Sequence, residues 1–235
     1  INRLEAFYPW IKLDEKLVLK FLINRDFTLS NRWTKATVLH QIGVLKIGDF
    51  KMDLIAQLFN SDILIREVAA WALNQIDHDT YVTNAMRLGE DAKKRLDEVI
   101  FQVEHQTRQM CYSKVMFFKN IEVFEGTPGV ALSHLADISN EVKLEPQKSM
   151  VIDGKVNNNF FIIFSGEVEF FEKGKSAGHY KAGQFIGEMV SSPGFVNTHV
   201  LIAKEETILL RVDKDQFYEL LSDNVKLADR VLEYI

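Results

Sequence analysis

The chain has a single cysteine, Cys111, in 235 residues, which excludes an intramolecular disulfide framework and suits a reducing, cytoplasmic setting. Cys111 itself reads as a half-buried structural thiol. Long apolar runs are also missing: the densest, Phe160 to Phe164, is far short of the about 20 residues that a membrane-spanning helix requires. The chain opens at Ile1 with neither a basic n-region nor an apolar h-region, and it reads as a piece of a longer protein without a signal peptide. Basic residues are in the minority, with a formal charge of -5 and an isoelectric point near 5.7, so a polyanion has no footprint and nucleic acid is not expected as a partner. Catalytic signatures are absent as well. The glycine-containing segments make neither a P-loop nor a dinucleotide fingerprint, no Gly-x-Ser-x-Gly occurs, and His40, His78, His105, His134 and His179 lack metal-ligand spacing. The expectation is a protein that is not an enzyme and holds no metal or resident cofactor.

What is present is enough apolar material for an ordinary core, 47% hydrophobic against 26% charged residues, distributed with two different periods. Up to about Phe118 the apolar residues recur at helical spacing. Leu17, Val18, Phe21 and Leu22 form a stripe after a predicted N-cap at Asp14, and Leu54, Ile55, Leu58 and Phe59 form another after Asp49. Arg32, Ala36, Leu39, Gln41 and Ile42 reappear 34 residues later as Arg66, Ala70, Leu73, Gln75 and Ile76. The second copy, capped by Ser61 and Asp62, is rich in small residues that let a neighbouring helix approach. A period of this size marks stacked helical hairpins, and the segment resembles a HEAT repeat; an amphipathic pair in a plain bundle is the alternative. A charged helix from Asp91 to about His105, with Leu96, Val99, Ile100 and Val103 on one face, is expected to cap the stack. The polar segment Glu104 to Gln109 then marks a boundary, giving a helical domain over 1–108 and a second domain over 109–235.

From about Glu141 the pattern changes to short β-branched and aromatic runs separated by turn signals: Val151 to Asp153, Phe160 to Ser165, Val168 to Phe171, Thr198 to Ala203 and Thr207 to Val212. Such spacing implies a sandwich or barrel. Helices flank it. Thr127 with Pro128 is predicted to start one over Val130 to Ile138, Asp213 with Gln216 resembles a capping box, and a last helix is expected over Val225 to Ile235.

Five segments in order resemble the cyclic-nucleotide-binding domains, over roughly Lys114 to Ile235. They are Lys119 to Phe124, Phe161 to Val168 with its Ser165-Gly166-Glu167 turn, Gly183 to Met189, Ala203 to Thr207, and Phe217 to Leu221. The resemblance implies a jelly-roll β-barrel with flanking helices, preceded here by the helical repeats. It also implies a phosphate-binding cassette in which backbone N–H groups face a cyclic phosphate and a carboxylate accepts from the ribose. Gly187, Glu188 and Met189 match its start. Counting back from Ala203, Asn197 stands where the family has its phosphate-pairing arginine, with Thr198 and His199 next. A charge-assisted hydrogen bond to phosphate is worth roughly 1.5 to 3 kcal/mol, so the substitution weakens such a site by at least about one order of magnitude. The six candidate residues, Gly187, Glu188, Met189, Asn197, Thr198 and His199, therefore read as a degenerate seat.

The run Phe217 to Asp223 and the order of helices before barrel also resemble the soluble C-terminal region of bacterial membrane proteins similar to ADP/ATP carriers. That likeness implies a cytoplasmic appendage, docking through its helices on a protein partner or an attached membrane domain. Two other readings stay open. In one, the domain is a working sensor of cAMP or cGMP that shifts its last helix, with a protonated His199 standing in for the cation; a solvated or edge-strand histidine is the plainer reading of that residue. In the other, the barrel takes a different anionic or nucleoside-like ligand.

Overall fold

Asp14 opens the first described helix by accepting the N–H groups of Lys16 at 2.9 Å and Leu17 at 3.3 Å, as an N-cap carboxylate does. In this computed structural model residues 14–24, 30–104, 110–153, 158–187, 189 and 198–234 are described. They fall into two units, Ile1–Glu104 and His105–Ile235.

In the first unit the helices are α1 (Glu15–Asn24), α2 (Arg32–Val44), α3 (Lys51–Leu58), α4 (Ile63–Ile76), α5 (His78–Ala85) and α6 (Glu90–Glu104). The two segments related by 34 residues lie in α2 and α4, which pack on each other with Ala36, Leu39, Ile42, Ala70 and Leu73 all buried. Arg32 at the start of α2 makes a two-pronged bond to Asp62, Nε to Oδ2 at 2.7 Å and a second nitrogen to Oδ1 at 2.8 Å, while Asp62 also caps α4 through the N–H of Leu64. The small residues Ala69, Ala70 and Ala72 are fully buried, as close helix packing requires. Two expectations need correction. Along α1 the buried residues are Leu19 and Ile23, one helical turn apart, whereas Leu17 and Phe21 are exposed: the helix presents the other side of its stripe to α2. Asp49 caps no helix; it sits in a 3-10 turn, Gly48–Phe50, and pairs with Lys16.

The second unit opens with α7 (Cys111–Phe118), a 3-10 turn at Glu122–Phe124 and α8 (Gly129–Ile138). Eight strands follow: β1 (Ser139–Leu144), β2 (Ser149–Asp153), β3 (Asn159–Ser165), β4 (Glu167–Glu172), β5 (Lys175–Lys181), β6 (Phe185–Ile186), β7 (Thr198–Ala203) and β8 (Thr207–Asp213). Helices α9 (Lys214–Asp223) and α10 (Val225–Tyr234) end the described chain. The strands make two antiparallel four-stranded sheets, ordered β1-β8-β3-β6 and β2-β7-β4-β5. Among the described residues these sheets do not close into the expected barrel. The fold is an open pair of faced sheets with edges at β1, β6, β2 and β5.

Strand alternation divides the apolar residues between two layers. Leu144, Ile152, Phe161, Ile163, Val168, Ile186, Leu201, Ala203 and Leu209 form the core between the sheets. The opposite parity of the first sheet, including Phe160, Ile162, Leu210 and Val212, is buried as well, and aromatic pairs tie this face to helices. Phe160 packs edge-on against Phe217 of α9 at 4.9 Å and Phe164 against Phe117 of α7 at 4.5 Å. Asp213 caps α9, accepting from the N–H groups of Asp215 and Gln216. The predicted cap at Thr127 is not made: its hydroxyl oxygen is buried with no hydrogen-bond partner among the described residues, and Pro128 precedes the helix instead.

Candidate functional site

The chain crosses from one sheet to the other between Asp153 and Asn159, and again between Ile186 and Thr198, so one end of the roll gathers the ends of β2 and β6 and the starts of β3 and β7. Four of the six candidate residues can be placed there. Gly187 directly follows β6, where Ile186 pairs with Phe161. Its φ of +86° is what demands glycine, because an added Cβ would meet nothing closer than 3.5 Å. Met189 is buried. Thr198 opens β7, opposite Asp153 of β2. Glu188 and Asn197 lie outside the described residues.

His199 does not behave as the edge-strand or solvated histidine of the plainer reading. Its strand is central, flanked by β2 and β4, and its parity is that of Leu201 and Ala203, so the ring enters the space between the sheets. There it lies against Phe170, with ring centroids 4.7 Å apart. Its Nδ1 is buried and has no hydrogen-bond partner among the described residues. A buried polar atom left unmatched is costly, and a ligand donor or acceptor at this end of the roll would satisfy it.

The acidic groups on the outer face of β4 are spoken for. His179 at 2.8 Å and Lys181 at 3.2 Å hold the Glu167 carboxyl below the usual range, and Lys204 does the same for Glu169. Both point away from the inter-sheet space, since Val168 and Phe170 occupy its side of the strand. A separate groove of about 570 Å³ runs between α8 and α9, lined by His134, Asp137, Glu219 and Asp223 over an apolar floor of Val130 and Leu220; it is not part of this seat. This end of the roll holds a glycine turn after β6, a buried imidazole nitrogen unmatched among the described residues, and the edge of the apolar inter-sheet core. The sequence reading did not single out Arg211, which also belongs to this end of the roll. No local pattern marks it, because β8 is largely buried on both faces apart from this residue and its place in the row is set by pairing with β1 and β3.

Residues 141–224 match the family model described as cyclic nucleotide-binding domain. The second unit carries such a domain. Among curated proteins the chain is similar to the cAMP-dependent protein kinase regulatory subunit of Yarrowia lipolytica (strain CLIB 122 / E 150), 25% identical over 137 residues that cover 56% of this chain and 36% of that protein. It thus spans little more than a third of the length of that relative. Solved structures similar to it include the sensor domain of the transcriptional regulator DNR from Pseudomonas aeruginosa, 22% identical, with a TM-score of 0.44 over 57% of this chain and 87% of that one. Another is the Thermus thermophilus catabolite activator protein, 18% identical, with a TM-score of 0.41 over 48% and 55% of the two chains.

Proposed function

We propose that the chain is a non-catalytic regulatory and interaction module whose cyclic nucleotide-binding domain has lost tight binding of cAMP and cGMP. One observation carries this reading: the position of the cassette that should neutralise the phosphate holds Asn197, while the glycine turn at Gly187 and the carboxylate of Glu188 are kept. A phosphate seated without a guanidinium loses an interaction of roughly 1.5 to 3 kcal/mol and leaves part of its desolvation unrecovered. In this reading the helical unit, stacked in HEAT-like fashion, supplies the surface for a protein partner or for a membrane domain of a larger cytoplasm-facing protein similar to the ADP/ATP-carrier-like group. The kinship with a kinase regulatory subunit supports the regulatory part.

Calorimetry with cAMP and cGMP on the whole chain tests it. The expected dissociation constants are weaker than about 100 μM, and Asn197→Arg tightens them by about tenfold or more. A constant in the low micromolar range for the unaltered chain would overturn the proposal.

A further inference from the structure

The row of residues across the first sheet at the cassette end runs Asn140, Arg211, Phe161, Ile186, each paired with its neighbour in register. Phe161 and Ile186 belong to the inter-sheet core, and Leu209, two residues before Arg211, does too. Residues directly paired across a sheet share a face, so Arg211 rises from the inner face of the roll. It is exposed, and among the described residues it makes no hydrogen bond or ion pair. Its place is two strands from Ile186, within about 10 Å at the usual strand spacing, and that strand leads straight into Gly187.

Among the described residues no carboxylate pairs with Arg211. Its row neighbours, Asn140 and Phe161, are neutral. Asp213, two residues on, has its carboxylate engaged by the N–H groups at the start of α9. Glu172 is paired in register with His199 on the opposite sheet, about 10 Å away across the core, so its place in the fold is next to the imidazole's and not next to the guanidinium's. An exposed guanidinium in the inner-face row of the first sheet, and on the second sheet an imidazole whose buried nitrogen has no partner among the described residues, are groups that take a phosphate oxygen and a polar ligand atom respectively.

We propose that Arg211 is the anion-holding residue of this roll, gripping the phosphate of a nucleotide-like ligand from β8 in place of the arginine absent at position 197. The proposal rests on the reading that the cassette has lost its own cation. It makes the domain a low-affinity phosphate-ester receptor whose charge comes from the sheet.

The test titrates cAMP, AMP and inorganic phosphate into the full chain, with nuclear magnetic resonance following the amides of Gly187 and His199. Arg211→Gln is compared with Lys204→Gln, which removes a lysine engaged by Glu169 on the outer face. Arg211 is exposed, so its replacement should fold, and an unchanged melting temperature checks this. The expected result is weak cAMP binding that Arg211→Gln weakens by about tenfold or more and Lys204→Gln leaves unchanged, with inorganic phosphate competing if the group read is the phosphate alone. Equal affinity in Arg211→Gln and the unaltered chain overturns the proposal. So does equal weakening by both variants, or no binding of any of the three probes up to about 10 mM. Tight cAMP binding that still depends on Arg211 would keep this inference and remove the reading of a weakened domain; weak binding indifferent to Arg211 would do the opposite.

Discussion

Gly43→Ala pits helix propensity against helix packing at one position. Gly43 lies in the last turn of α2, where alanine is favoured over glycine by about 0.5 to 1 kcal/mol. A Cβ there would stand 2.8 Å from both Cα and Cβ of Ala72 and 2.7 Å from Cζ3 of Trp71. Carbon atoms settle at about 3.5 to 4.0 Å, so α2 and α4 must part by a sizeable fraction of an ångström or Trp71 must turn away from His40, with which it stacks at 4.8 Å. The atom in the way belongs to the backbone of α4, and separation loosens Ala36, Leu39, Ile42, Ala69 and Leu73 together. Overpacking of this kind costs about 1 to 3 kcal/mol, which exceeds the propensity gain; the net expectation is a loss of about 1 to 2 kcal/mol. The three tryptophans of the chain, Trp10, Trp33 and Trp71, all lie in the first unit, so urea unfolding followed by tryptophan fluorescence reads that unit without the second. Gly48→Ala is the control, because a Cβ there meets nothing within 4 Å. A higher unfolding midpoint for Gly43→Ala than for the unaltered chain would refute the close approach of α2 and α4.

Gly166→Ala tests the turn between β3 and β4, where φ is +86° and an added Cβ would lie 2.6 Å from the Glu206 carbonyl oxygen and 2.8 Å from the Thr207 Cα; strain and collision together predict a loss of about 2 to 4 kcal/mol in the second unit, read by far-UV circular dichroism during thermal unfolding. Asp77 accepts from Lys51 Nζ at 2.5 Å and caps α5 through the N–H of Thr80, and these bonds, the lysine first, hold its carboxyl well below the usual range. A depressed carboxylate contributes stability that is full above its unfolded value near 3.9 and fades as pH falls through the folded one, so Asp77→Asn should lower the melting temperature at pH 7 and flatten its decline below about pH 4; a parallel acid profile in the variant would count against the bond.

Much of this architecture was legible without coordinates because it is set by short-range periodicity. The runs at 160–165, 168–171, 198–203 and 207–212 each became strands, and the helix starts at Asp14, Asp62 and Asp213 carry the capping bonds that their residue types promise. β5, with the sequence Lys175 to Lys181, escaped notice because an edge strand exposed to solvent needs no apolar face, and its register is held by β4 alone. Asp49 and Thr127 were legible as caps only in type. Whether a side chain bonds a helix N–H depends on where the preceding turn delivers it, and the 3-10 turn at Gly48–Phe50 brings Asp49 to Lys16 instead.

By itself, then, the order of residues determined that a helical unit precedes a strand-rich one and that a glycine turn falls at Gly187, since both follow from local spacing; that the strands lie in two open sheets and not in the expected barrel was decided by their pairing. Tertiary structure alone decided that His199 faces inward from a central strand and that Arg211 shares a row with Phe161 and Ile186. The face a strand residue presents is settled by alternation, but what stands across from it is settled by pairing between segments many residues apart, and no local pattern encodes that partner.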